Sequence, residues 1–418
     1  MKKLADDVSS GHGFEEVAAA LREFRARTGR EPLMLGGWEV EDPAIRPPTT
    51  LIEQLRAIRP QLTGYCFPRD FHRARERAAA LFAPEMRFGE RAPEPANVAI
   101  LQNSTQGLLL ALAALKEHGV ARVVAAAPVY FAAVEACRQL GLDVVVVPAS
   151  DFLTGALDLA RLAAEASVPR SALLLTNPAY SVGVEYTPDH LAALFAALRP
   201  ETYVLLDETR LGLHWHRPSP WYTAAYPERT LVLRSPSKLF LVNGSKCSLL
   251  LGPAALIHEV ERLGEALVGS SAGGTEEAAL AYLAALRAWR DEADAGVKGP
   301  LLAWWQGVVA AVGRTYAAVA PTLTSAGFAV SPVDSGPYVL AAIARERLSV
   351  LDGAAIGREH GVLLLESAHF FHHHPAWIGF RLNLYVGSAR ARAALAALMR
   401  PLEFQMAAVD LLPLNGRG

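Results

Sequence analysis

Lys238 closes the run Leu231-Val232-Leu233-Arg234-Ser235-Pro236-Ser237-Lys238, an apolar, β-prone stretch that ends in two small hydroxyl residues and an amine. A lysine at a strand end stands where the active sites of α/β proteins gather. Its amine can form a Schiff base with a carbonyl compound, and Ser235 and Ser237 can hold an anion beside it. The competing reading is a solvated surface charge. Two further polar positions end apolar runs upstream: Asn177-Pro178 follows Ala172–Leu175, and Asp207 follows Tyr203–Leu206. A carboxylate at Asp207 can cap the next helix or receive a buried cation such as a pyridinium nitrogen. The Asn177 amide can donate to a phenolate oxygen or, with Pro178, simply make a turn.

Three other segments carry chemistry. Asn103-Ser104-Thr105-Gln106-Gly107-Leu108 follows a predicted strand and opens a predicted helix. Backbone N–H groups there, helped by the Ser104 and Thr105 hydroxyls, bind a phosphate; the plainer reading is a helix cap. Tyr130, after Pro128-Val129, offers a flat face to a ring or packs as an ordinary aromatic. Arg381, inside Gly379-Phe380-Arg381-Leu382-Asn383-Leu384, is costly in an apolar strand unless its guanidinium has a partner. A carboxylate is the natural partner, supplied by an amino-acid substrate or by an internal Asp or Glu. The loop Phe370-Phe371-His372-His373-His374-Pro375-Ala376-Trp377 precedes that strand. Consecutive histidines do not project to one face, so no metal site is expected. The expectation is a polar, aromatic wall beside the substrate, with His369 or His372 titrating near neutrality.

The elements that position these residues alternate. Apolar runs at Val98–Leu101, Val123–Ala125, Val144–Val147, Ala172–Leu175 and Tyr203–Leu206 suit strands buried on both faces, hence a parallel sheet. Helical patterns lie between them at Gln106–Lys116, Ala132–Leu140, Leu157–Ala166 and Pro188–Leu198. This alternation over residues 95–252 predicts a three-layer α/β/α large domain with a mostly parallel sheet. Residues 275–326 read as long-helical. Beyond them Phe328–Val330, Tyr338–Ile343 and Phe380–Val386 read as strands, with helices at Val350–His360 and Ala389–Met399, giving a smaller α+β domain. Residues 14–29 read as a helix, and the Gly- and Pro-rich residues 36–49 as a loop crossing the surface. The expected division is an N-terminal arm and small-domain segment at 1–50, a large domain at 51–285 and a small C-terminal domain at 286–418.

Composition sets the outer bounds. The chain has 418 residues, 52% hydrophobic and 20% charged, enough to bury a large core. A formal net charge of −2 gives no basic surface for nucleic acid or anionic membrane. Cys66, Cys137 and Cys247 are few and far apart, which supports neither a disulfide framework nor a zinc knuckle. Met1-Lys2-Lys3-Leu4-Ala5-Asp6-Asp7 does not read as a signal peptide, and no apolar stretch is long enough to span a bilayer. A cytoplasmic globular protein is expected.

Taken in order, these pieces resemble the fold type I pyridoxal phosphate enzymes of the class I/II aminotransferase family. The matching segments are Asn103–Leu108, Pro128-Val129-Tyr130, Asn177–Gly183, Asp207-Glu208, Ser235–Lys238, Gly244-Ser245-Lys246 and Phe380-Arg381-Leu382. The resemblance implies that Lys238 holds pyridoxal 5'-phosphate as a Schiff base and moves the substrate's α-proton. It implies that Asp207 pairs with the pyridine nitrogen, Asn177 with the ring oxygen, and that Tyr130 stacks on the ring. Ser104, Thr105, Ser235 and Ser237 would surround the phosphate. Arg381 would clamp the substrate α-carboxylate, and Gly37 and Asn177 would approach the substrate. Tyr65 resembles the tyrosine that reaches the phosphate in a partner subunit, which implies a homodimer with shared sites.

The chain departs from the family pattern at two charged positions. Arg210 stands three residues after Asp207, where the family usually has a tyrosine that donates to the ring oxygen. A guanidinium there would stabilise a phenolate more strongly. Lys246 stands where the family has a phosphate-binding arginine, keeping the charge without the bidentate fork. The expected activity is transfer of an amino group from an α-amino acid to a 2-oxo acid. The alternative, motivated by Arg210, is elimination, replacement or cyclisation on the same cofactor. A ligand-sensing domain fused to a DNA-binding module is disfavoured: no helix-turn-helix pattern precedes the α/β region, and the charge is near neutral.

Overall fold

The computed structural model describes residues 12–60, 63–218, 224–347 and 353–410. Its central sheet has seven strands in the order Val98–Leu101, Ser248–Leu251, Thr230–Arg234, Tyr203–Asp207, Ser171–Thr176, Arg122–Ala126 and Asp143–Val147. All pairings are parallel except those of Ser248–Leu251, which runs against both neighbours. Every residue of Val98–Leu101, Ser171–Thr176 and Thr230–Arg234 is buried. Their apolar residues alternate between two cores: Val98 and Ile100 pack on one face, Ala99 and Leu101 on the other. That period of two, with helices over both faces, is why these strands read as unbroken apolar runs. The α/β/α architecture expected from the sequence is present.

Topology then gathers the polar residues. The strands ending at Leu101, Ala126, Thr176, Asp207 and Arg234 run in one direction. Asn103, Tyr130, Asn177, Asp207 and Lys238 therefore leave the sheet along a single edge, the edge where α/β proteins bind ligands.

A second sheet supplies the other wall. Its four strands, ordered Ala329–Val330, Tyr338–Ala344, Trp377–Asn383 and Leu365–Glu366, pair antiparallel and set Arg381 opposite Leu340 and Leu365. The strand expected over Phe380–Val386 instead runs Trp377–Asn383. The Asn383 side chain accepts from the Tyr385 N–H at 3.1 Å and turns the chain into a short 3-10 segment. The helix expected from Val350 is seen as Gly353–His360, its first residues lying outside the described ones.

The long-helical stretch is two helices, Thr275–Asp294 and Pro300–Ser325. Gly296, at φ +62°, ends the first, and the Glu292 carboxylate caps the second by accepting from the Leu301 and Leu302 N–H groups at 2.9 and 2.7 Å. Both helices brace the catalytic edge. Phe240, two residues after Lys238, packs against Tyr282, Trp289 and Trp304 with ring centroids 5.4–6.4 Å apart.

The Gly-rich segment does not stay on the surface as expected. Leu35, Gly36 and Gly37 are buried. The Gly36 N–H donates to Leu363 O and the Asn383 N–H to Leu35 O, both at 2.7 Å. A Cβ on Gly36 would stand 2.7 Å from the Leu365 nitrogen, so the lack of a side chain is what admits this backbone. Glycine composition suggests a loop, but here it permits close approach.

Candidate active site

Lys238 lies in the one-turn helix Pro236–Leu239, with its N–H donating to Ser235 O at 3.1 Å. Its Nζ reaches the Thr209 hydroxyl at 3.4 Å. Burial pushes the amine's pKa down to about 8, helped by the positive Arg210 beside it; Asp207 opposes the shift and Lys246 adds slightly to it. Asp207 is 4% exposed and accepts the Thr209 N–H at 3.1 Å. No Lys, Arg or His among the described residues pairs with it within 4 Å. The adjacent Glu208 has a different fate, a buried ion pair with Arg234 at 2.6 Å.

On the far side of the cavity Asn103 accepts the Gln106 N–H at 2.9 Å and caps the helix Ser104–Glu117, aiming Ser104 and Thr105 inward. Ser235 and Ser237 donate to Cys247 O at 3.2 and 3.0 Å, and the Cys247 N–H donates back to Ser237 at 3.0 Å. These bonds fix the turn that carries Lys246. Tyr130 stacks edge-on to Phe131 at 4.8 Å and tilts against Tyr180 at 5.6 Å.

Ser104, Thr105, Tyr130, Asp207, Arg210, Ser235, Ser237, Lys238 and Lys246 thus line one cavity of about 230 Å³. Trp38, Glu39, Tyr180, Thr209 and Asn243 also line it and were not singled out from the sequence. Thr209 had a usable signal, a hydroxyl two residues past a strand-ending aspartate. Glu39 and Asn243 had none.

Four predicted site residues lie elsewhere. Asn177 is fully buried, its amide donating to Tyr186 O at 3.1 Å and accepting the Tyr186 N–H at 2.9 Å. Gly37 donates its N–H to Met34 O at 3.0 Å. Arg381 is fully buried beneath Trp38, whose ring lies 4.4 Å from its guanidinium. It has no carboxylate partner among the described residues; instead it donates to the carbonyls of Gly36 and Gly37. Tyr65 is 84% exposed and does not line its own chain's cavity.

The histidine loop corrects a sequence expectation. His372 is 2% exposed, packed on Phe152 with ring centroids 4.5 Å apart, and does not line the cavity. Burial, then the neighbouring His373, push its pKa down to about 4, so it does not titrate near neutrality. Among the described residues no group of three His, Cys, Asp or Glu side chains is placed to hold a metal ion.

The family model for aminotransferase class I and II matches residues 42–398. The chain belongs to that family. Solved aminotransferases share its fold. A single mutant of Thermus thermophilus aspartate aminotransferase superposes with a TM-score of 0.75 at 20% identity, covering 93% of this chain and 95% of its own. YbdL of Escherichia coli, reported with a methionine aminotransferase function, gives 0.72 at 18% identity, covering 93% and 96%. An aminotransferase from Mycobacterium tuberculosis gives 0.73 at 20% identity, covering 94% and 96%. No curated protein sequence matches the chain.

This aminotransferase is a pyridoxal phosphate enzyme, and its cavity fits that group. Asp207 is a buried carboxylate with no paired cation, suited to a protonated ring nitrogen. A helix N-terminus, several hydroxyls and Lys246 form a donor-rich end suited to a phosphate dianion. Lys238 lines the same cavity. The low pKa of its amine has a measurable consequence. Loading of cofactor-free protein requires the neutral amine, so the loading rate should rise with pH to a half-maximum near 8. Stopped-flow absorbance across pH checks this; a rate still climbing tenfold per unit at pH 9 would contradict it.

Proposed function

We propose that this aminotransferase moves an amino group from an α-amino acid to a 2-oxo acid, with Lys238 as the proton carrier. The observation that carries the reading is the buried Lys238 amine, lowered to about 8, in one cavity with Asp207 and the donor-rich phosphate end. Bound pyridoxal phosphate supplies the electron sink. The protein's own residues do the rest. Lys238 would take the proton from the substrate α-carbon and carry it within the cavity as the amino group changes hands. Asp207 keeps the ring nitrogen protonated, and Tyr130 covers one face of the ring. Ser104, Thr105, Ser235, Ser237 and Lys246 hold the phosphate, and Arg381 addresses the α-carboxylate. Asn177, bonded to the Tyr186 backbone, acts through the turn it fixes.

The test is a panel of amino acids with mass detection. Each productive amino acid should yield its oxo acid and one equivalent of pyridoxamine phosphate in a single turnover. Arg210, in place of the family's tyrosine, favours a second reading, elimination or replacement on the same cofactor. Oxo-acid formation with no amine acceptor consumed would select it.

We further propose a homodimer in which Tyr65 reaches the partner's cavity. Its large aromatic surface is 84% exposed, and Leu267 and Val268, close in sequence to Ser271, the bridge partner of the adjacent Cys66, are 61% and 45% exposed. A monomer mass in sedimentation equilibrium would refute this. The three free thiols fit a cytoplasmic location, and among the described residues no helix is long and apolar enough to cross a membrane. The boundaries at residues 50 and 285 remain our proposed domain division.

A further inference from the structure

Arg381, buried beneath Trp38 at 4.4 Å from its ring, has one edge already committed. Its Nε and Nη2 donate to Gly36 O at 3.1 and 2.6 Å, and Nη2 donates again to Gly37 O at 3.2 Å. Those bonds use the Nε hydrogen and both Nη2 hydrogens. Nη1 is buried and has no acceptor in hydrogen-bond geometry, although the Tyr180 phenol is close enough to steady its charge. The fork that grips a carboxylate at both oxygens uses two nitrogens, and Arg381 has only Nη1 left.

Arg210 stands where the second donor belongs. Both guanidiniums face a single ring: the Arg210 Cζ lies 5.1 Å and the Arg381 Cζ 4.7 Å from the Tyr338 centroid. Neither forms an ion pair with a carboxylate of the described residues. Three hydroxyls around them, on Ser181, Tyr338 and Tyr385, are also buried without a partner. Ser181, Tyr338 and Arg210 line a small cavity that shares Arg210 and Tyr180 with the main one. The Tyr385 phenol lies within electrostatic reach of Arg210. Two cations without a carboxylate, ringed by three buried hydroxyls that have no hydrogen-bond partner, suit an anion.

We propose that Arg210 is the second arm of the substrate-carboxylate site, taking one oxygen of the α-carboxylate while Arg381 Nη1 takes the other. The assignment rests on the aminotransferase reading for the identity of the anion. It gives Arg210 a role other than the ring-oxygen contact implied by its position after Asp207. It also ties binding to chemistry, because an anion on Arg210 offsets the positive field that this residue exerts on Lys238.

The test titrates propionate, an unreactive monocarboxylate, into the holoenzyme by calorimetry at fixed ionic strength. Arg210→Met should weaken propionate binding at least about tenfold, the loss of a charged hydrogen bond, and raise KM far more than it lowers kcat. A loss under tenfold overturns the proposal, whatever the visible spectrum does, and so does wild-type protein with no saturable propionate binding. Should the methionine variant fail to fold, Arg210→Lys decides. It keeps the charge without the planar fork, so weakened propionate binding supports the proposal and wild-type affinity overturns it. Propionate binding does not require turnover. Binding through Arg210 without pyridoxamine phosphate formation from any amino acid would refute transamination and leave the carboxylate receptor standing.

Discussion

Lys238→Ala protein is expected to lack the visible absorbance of the covalently held cofactor and to turn over at least about 10⁴-fold more slowly than wild type. No neighbouring group replaces the amine. Thr209, the nearest polar contact at 3.4 Å, is a hydroxyl with no amine chemistry, and Lys246 belongs to the phosphate end. Residual activity within a hundredfold of wild type would remove Lys238 from the role of proton carrier. Stability should move the other way. Burial lowers the amine's pKa from 10.5 to about 8, so the folded protein binds that proton less well than the unfolded chain. Below pH 8 both states are protonated and the full penalty is present, roughly 3 kcal/mol. It fades as pH rises from 8 towards 10.5. Cofactor-free Lys238→Ala should therefore melt no lower than cofactor-free wild type at pH 7, and its advantage should shrink in alkaline buffer. Differential scanning calorimetry at both pH values measures this.

Asp207→Asn is expected to lower kcat by roughly 10²- to 10⁴-fold while leaving the chain folded. Unpairing a buried ion pair costs about 3–5 kcal/mol, and here the cost falls on the charged ring of the reacting complex. The amide is nearly the same size and still accepts the Thr209 N–H, so the local turn is kept. Single-turnover absorbance with a good amino acid separates the outcomes. A slowed conversion with unaltered cofactor retention at high pyridoxal phosphate locates the defect in the ring's electronics. Wild-type conversion would mean that Asp207 does no more than hold the following turn through the Thr209 N–H.

The sheet was legible because its strands are covered on both faces, which forces unbroken apolar runs, and two of those runs lead directly into residues that face the cavity. Asp207 and Lys238 stood out for that reason. Arg381 was visible as an expensive arginine, but its partners were not. They are backbone carbonyls of Gly36 and Gly37, and an accepting carbonyl leaves no trace in residue type. The same blindness placed residues 36 and 37 on the surface, since glycine marks a loop and a buried close approach alike. His372 failed for the opposite reason. Three consecutive histidines look polar in sequence, while the packing of Phe152 that buries the first of them is a tertiary fact. Trp38 reaches the cavity by lying over Arg381, a contact set by the second sheet. Tyr65 is exposed in its own chain, so the role proposed for it requires a second copy.

The one backward strand, Ser248–Leu251, gives the site a built-in ruler. Had it run parallel to its neighbours, the chain would have needed a long crossover to re-enter the sheet. Running the other way, it begins where Thr230–Arg234 finishes, and residues 239–245 alone connect the two amines, Lys238 and Lys246. Under the proposed roles, this turn sets the length between the amine that meets the cofactor's carbonyl and the amine that meets its phosphate. Lengthening or shortening it would misfit the two amines to that length while leaving every ladder of the sheet intact.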